Sequence, residues 1–179
     1  MRRRLPASLL LTLLAAGCSQ AVDSIPCPAS PVAILAFQGI RTDVTCAAGA
    51  PAAGVNSLYP ATRDFTGTIT FAPGGSTAAL CVASPGAEPL VGTRTADQVD
   101  VALTTTGALL SGCNAACAVT VVQRVTGTLL RDPGGAPTGF TGELQDVETQ
   151  DPAVPRASCT PCTTPCQATY VLTALPAAR

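Results

Sequence analysis

The sequence predicts an all-β domain, an antiparallel β-sandwich or a small barrel, braced by disulfides. Three observations lead there. Apolar and polar residues alternate with a period of two in several segments, which is the pattern of a half-buried strand. Gly- and Pro-rich turn signals separate those segments. Threonine is abundant while Glu, Lys and Met are scarce, so strand formers outweigh helix formers apart from Ala and Leu.

The elements follow in order. "VAILAF" (Val32–Phe37) is a short apolar run that suits either a strand or a buried helical turn. Residues 47–60, rich in Ala, Gly and Pro, read as loop. In "DFTGTITF", Phe65, Gly67, Ile69 and Phe71 share one face, with Thr66, Thr68 and Thr70 on the other. "APGGS" then turns the chain into "TAALCVA", a hairpin. Further on, Val99, Val101 and Leu103 alternate with Asp100, Ala102 and Thr104.

A second hairpin is predicted with Val119–Arg131 antiparallel to Thr138–Glu148 across the turn Asp132-Pro133-Gly134-Gly135. Pairing of that kind returns Glu148 to the Cys117 end. "ATYVLTAL" (Ala168–Leu175) is the last strand. Thr-Gly echoes at Gly67, Gly127 and Gly142 lack a fixed period and so are not a solenoid repeat. Each marks a strand whose neighbour packs closely, or a bulge.

Ahead of this domain stands a different kind of segment. Arg2, Arg3 and Arg4 precede an apolar stretch, Leu5–Ala16, that is too short to cross a bilayer, for which about 20 apolar residues are needed. A positive start, a short apolar core and small residues at its end are the parts of a secretory signal peptide. Ala15, Ala16 and Gly17 lead directly to Cys18. This resembles the lipobox of bacterial lipoproteins, with Leu14 one place earlier than the usual leucine. The resemblance covers the first twenty residues and implies cleavage before Cys18, lipidation of its thiol and anchorage to a membrane. Ser19 resembles the residue type that permits passage to the outer membrane in Gram-negative cells. The expected organisation is a signal peptide over 1–17, a lipidated N-terminus and Pro-rich spacer over 18–31, and a single Cys-rich β domain over 32–179.

Removing the signal leaves seven arginines against eleven acidic residues, with no Lys and no His. A mildly acidic chain without a basic cluster is a poor nucleic-acid binder. If Cys18 carries lipid, eight of the nine cysteines remain: Cys27, Cys46, Cys81, Cys113, Cys117, Cys159, Cys162 and Cys166. An even number in an exported chain is what a disulfide framework requires. Cys27 is expected to pair with Cys46, since both precede the first clear hairpin. At least one bridge is expected from Cys113 or Cys117 to Cys159, Cys162 or Cys166, at the base of the second hairpin.

The chemistry such residues could perform is narrow. "CTPCTTPC" places Cys159 and Cys162 in a C-x-x-C pair that looks like the redox motif of thioredoxin-fold oxidoreductases, but no βαβ pattern surrounds it. Cys113, Cys117, Cys159 and Cys162 have tolerable zinc spacing, against which stands the oxidising route of export. Without His, Ser-His-Asp and Cys-His arrangements are excluded. Glu143 with Glu148, or Asp97 with Asp100, could serve as a carboxylate pair, though strand-face and loop-end charges are ordinarily solvated. "FAPGGST" and "DPGGAPTG" lack the Lys and the strand–loop–helix context of phosphate loops. The expectation is therefore a membrane-anchored exported lipoprotein with a structural or binding role, no enzymatic activity and no cofactor. Two alternatives are a thiol–disulfide oxidoreductase using Cys159 and Cys162, and a carrier of a small apolar ligand.

Overall fold

A period-two strand buries one face only, and a sheet that closes on itself hides that face without needing a second layer. The computed structural model describes residues 27, 34–46, 59–72, 75–108, 118–155 and 164–178. Eight strands follow one another: β1 (Leu35–Val44), β2 (Thr62–Phe71), β3 (Thr77–Val82), β4 (Leu90–Thr95), β5 (Gln98–Ala108), β6 (Val119–Arg131), β7 (Pro137–Gln150) and β8 (Cys166–Pro176). Each pairs antiparallel with the next, and β8 returns to β1 to close the barrel. Of the two expected architectures, the barrel forms.

The alternation decides what fills it. Phe65 and Ile69 point inward on β2, Val99 and Val101 on β5, Phe140 and Leu144 on β7, Tyr170 and Leu172 on β8. Phe37 stacks on Phe65 with ring centroids 4.7 Å apart and meets Phe140 at 5.6 Å. The outer wall is largely threonine and charge. This is the reverse of a barrel that spans lipid, which needs an apolar band outside and polar groups within.

The predicted hairpins are present. β2 pairs with β3, and β6 with β7 from Val119↔Gln150 to Arg131↔Pro137, so Glu148 lies opposite Val121. The echoed glycines are close approaches and not bulges, because the register shifts fall elsewhere, at Arg41/Asp43, Thr106/Ala108 and Leu130/Arg131. Gly127 and Gly142 face each other directly across β6 and β7. A Cβ on Gly142 would sit 2.1 Å from the Thr126 carbonyl oxygen and 2.9 Å from the Phe140 ring, so no side chain fits.

Antiparallel order sorts the connections between two ends. One end, the turn end, has the short links 72–76, 96–97 and 132–136. The other, the loop end, has 45–61, 83–89, 109–118 and 151–165. The predicted Cys27–Cys46 bridge needs correction. Cys27 pairs with Cys81, not Cys46, and Cys46 pairs with Cys166. The reason is closure. Val44 of the first strand faces Ala168 of the last, which places Cys46 beside Cys166 although 120 residues separate them. Cys166 is thereby unavailable to Cys113 or Cys117. Cys18, Cys113, Cys117, Cys159 and Cys162 lie outside the described residues.

Candidate functional site: the polar interior of the loop end

On β7 the inward series runs Phe140, Gly142, Leu144, Asp146, Glu148. Its apolar character stops two residues short of the loop end, and the series finishes in two buried carboxylates, 2% and 0% exposed. A buried charge needs partners, and neighbouring strands supply them. Arg63 of β2 donates to Asp146 Oδ2 in an ion pair, while Gln123 Nε2 of β6 donates to Asp146 Oδ1 at 3.0 Å. Tyr59, just before β2, donates its hydroxyl to Glu148 Oε1, and Arg41 Nη1 of β1 donates to the Tyr59 carbonyl oxygen. One network thus ties β1, β2, β6 and β7 to the segment entering β2.

Tyr59 shows what this environment does to acid–base chemistry. Burial pushes its hydroxyl pKa well above the ordinary value, and the hydrogen bond to Glu148 and the negative charges of Glu148 and Asp146 add to it. It remains a proton donor and is not a base. Tyr170, one layer deeper, is raised chiefly by burial. Its hydroxyl is buried and has no partner among the described residues. The Arg63 guanidinium lies 6.0 Å from the Tyr170 ring centroid.

The sulfurs of Cys46 and Cys166 and a carboxylate oxygen of Glu148 lie within 4.8 Å of one another. That resembles a metal-ligand set, but the two sulfurs are bonded to each other. A disulfide offers no thiolate to a metal and no S–H to donate to Glu148 Oε2, which lies 3.5 Å from the Cys166 sulfur. Reactive thiolates, the requirement for both zinc binding and thiol exchange, are absent from this cluster.

The sequence-derived carboxylate pairs do not assemble. Glu143 and Glu148 are an odd number of residues apart on one strand, so Glu143 faces out while Glu148 is fully buried. The expectation that Glu148 is solvated is therefore corrected. Asp97 and Asp100 are on the exposed surface, where Arg131 Nε donates to Asp97 at 2.7 Å and Arg124 grips Asp100 through two nitrogens. The bond to Arg124 holds the Asp100 carboxyl below its usual range. Asp146, Arg63 and Tyr59 went unnoticed, though for two of them a signal existed: Asp146 shares the parity of Phe140 and Leu144, and Arg63 that of Phe65.

Beside this network is a recess of about 140 Å³. Phe65, Leu80, Leu90, Val125 and Leu144 give it an apolar lining, and Arg63, Asp64 and Gln123 give it polar groups. A wider depression on the outer wall of β4–β6 is shallow and lined by Thr93, Thr95, Thr126 and Thr128. No protein-family model, no curated protein and no solved structure matches this chain.

Proposed function

We propose that this chain is an exported, lipid-anchored β-barrel with a binding role, held at a membrane by Cys18 and presenting its loop end. The observation that carries the reading is the sulfur framework. Two bridges, Cys27–Cys81 and Cys46–Cys166, belong to an oxidising compartment. The first ties down the chain only nine residues after Cys18, so an anchored barrel would stand within about 30 Å of the bilayer. The passage to the outer membrane rests on Ser19.

The test is Cys18→Ser. The variant is expected to lose membrane association while keeping the thermal transition of the domain, and the wild-type N-terminal peptide is expected to carry acyl chains in a mass spectrum. An unmodified Cys18, or one bridged to another cysteine, overturns the reading.

A specific observation favours a small apolar ligand within this reading. The recess at Phe65, Leu80, Leu90, Val125 and Leu144 has about 140 Å³, close to the roughly 150 Å³ of an apolar protein cavity that binds benzene. Arg63 keeps guanidinium donors beyond the one spent on Asp146, so a ligand with an acceptor group at one end fits better than pure hydrocarbon. Short-chain carboxylates such as hexanoate are the probe. Saturable chemical-shift changes at Leu80, Val125 and Leu144 methyls support the carrier reading, and unchanged methyls reject it. The oxidoreductase alternative requires free thiols at Cys159 and Cys162, which thiol counting on the native protein detects.

A further inference from the structure

The outer wall of the barrel is not uniform. Among the described residues six large apolar side chains are exposed, and five lie together on one side: Leu175 at 71%, Ile40 at 56%, Val171 at 47%, Leu130 at 45% and Ile34 at 44%; the sixth, Val44, is at the loop end of β1. Strand pairing makes them neighbours. Ile40 faces Val171 directly, and Leu175 faces Ala36, two residues from Ile34. Leu130 faces Gly139, which has no side chain to separate it from the β8 edge. The rows Ile40–Val171 and Ala36–Leu175 flank a neutral row, Gln38 opposite Thr173. Elsewhere the outer positions are mostly threonines, glutamines and charged residues; half-buried Val91, Ala102, Val122 and Val147 lie among them, and Ala79 and Cys81 of β3 are buried.

An exposed apolar face on an otherwise polar barrel marks a contact surface. Its position relative to the chain's own start identifies the contact. Leu35 faces Gly67 and Gly67 faces Val82, so the start of β1 lies two strands, about 10 Å, from Cys81 and its bridge to Cys27. Ile34 is itself on this face, and the tie between Cys27 and Cys81 is within two strands of it. No Arg lies outward on β1 or β8, since Arg41 turns inward to Tyr59, so the face has no need of anionic headgroups.

We infer that the outer face of β1 and β8, with Leu130, rests on the lipid interface of the membrane to which the N-terminus is tethered. This rests on the proposed anchorage and adds an orientation to it: the barrel lies on its β1–β8 side, with the β4–β5 wall turned away. Tethering holds the face at high effective concentration, so weak apolar contacts suffice.

The chain has no Trp, which makes single tryptophans clean reporters. Val171→Trp places one on the apolar face and Thr104→Trp places one on exposed β5 across the barrel. Each protein is attached to phosphatidylcholine vesicles through an N-terminal His-tag replacing residues 1–18 and a chelating lipid. Attachment then does not depend on natural lipidation. The Val171→Trp emission is expected to move to shorter wavelength and to be quenched by brominated lipid at least about twofold more than that of Thr104→Trp. Adding Ile40→Thr and Leu175→Thr to Val171→Trp should reduce that quenching without lowering the thermal transition. Equal quenching at both sites overturns the inference. A blue shift that appears without vesicles and grows with protein concentration also overturns it, by assigning the face to a second copy of the chain. Failure of Cys18 to carry lipid in cells would sink the proposed function and leave this measurement standing.

Discussion

The two ends of the barrel solve the problem of closing a sheet in different ways. At the turn end the links are tight and the interior is aromatic and aliphatic. There the Arg94 guanidinium covers the Phe71 ring at 4.1 Å, and Arg131 approaches it at 5.8 Å while holding Asp97 and the Gly135 carbonyl. At the loop end the connections are long, the interior turns polar at Asp146 and Glu148, and a disulfide closes the seam between the first and last strands. The difference shows where local chemistry suffices and where it does not. A tight turn sets its own register, whereas long connections leave strand ends to be held by bridges and buried hydrogen bonds.

If that is right, the largest effect belongs to the seam. Replacing Cys46 and Cys166 together by Ala should lower the free energy of unfolding by about 4 kcal/mol, because the bridge restrains a very long loop of the unfolded chain. Urea denaturation of the oxidised proteins measures it. A loss below that of any turn-end substitution would erase the contrast between the ends.

Next comes Gly142→Ala, which forces a methyl against the Thr126 carbonyl and the Phe140 ring. Overpacking of this kind should cost about 3 kcal/mol. Its mark in hydrogen exchange should be faster opening of the β6–β7 ladder.

Tyr59→Phe tests the polar network and should cost about 2 kcal/mol by removing the hydrogen bond on which buried Glu148 depends. The pH dependence has a definite sign. Because the folded pKa of Tyr59 is raised, its contribution is complete below about pH 10 and declines as pH climbs past that value. There the unfolded chain releases the proton and the folded chain must keep it. The alkaline loss of stability should therefore be shallower in Tyr59→Phe than in the wild type.

The smallest expected change has the opposite direction. Tyr170→Phe keeps the ring beneath Arg63 and deletes a buried hydroxyl that lacks a partner among the described residues. It should raise stability by about 1 kcal/mol. A decrease would show that the hydroxyl is satisfied in solution.

Much of the barrel was legible in advance because alternation is a local property. The inner faces of β2 and β5 follow from parity, and the β6–β7 turn from Asp132-Pro133-Gly134-Gly135. β4 escaped notice because its inward residues are Leu90, Gly92 and Arg94: a glycine whose Cβ would meet the Asp100 carbonyl at 2.1 Å and an arginine whose guanidinium lies over Phe71. Neither has the apolar signature of a core position. The site was less legible for a related reason. Asp146 and Glu148 sit at inward positions, yet a carboxylate in a sequence reads as surface until the cations and donors that satisfy it are known. Those partners, Arg63, Gln123 and Tyr59, come from three other places in the chain.

By itself, then, the sequence determined the strand class, the inward and outward faces of β2 and β5 and the hairpins joined by tight turns, all through contacts between residues close along the chain. Only the tertiary structure decided which cysteines meet. Cys46 and Cys166 are 120 residues apart and become neighbours because β8 closes on β1, and closure depends on the twist and register accumulated over all eight strands. The same closure brought Tyr59 beside Glu148 and set Ile40 against Val171 on the outside. No local pattern contains that information, because each of these pairs exists only once the last strand finds the first.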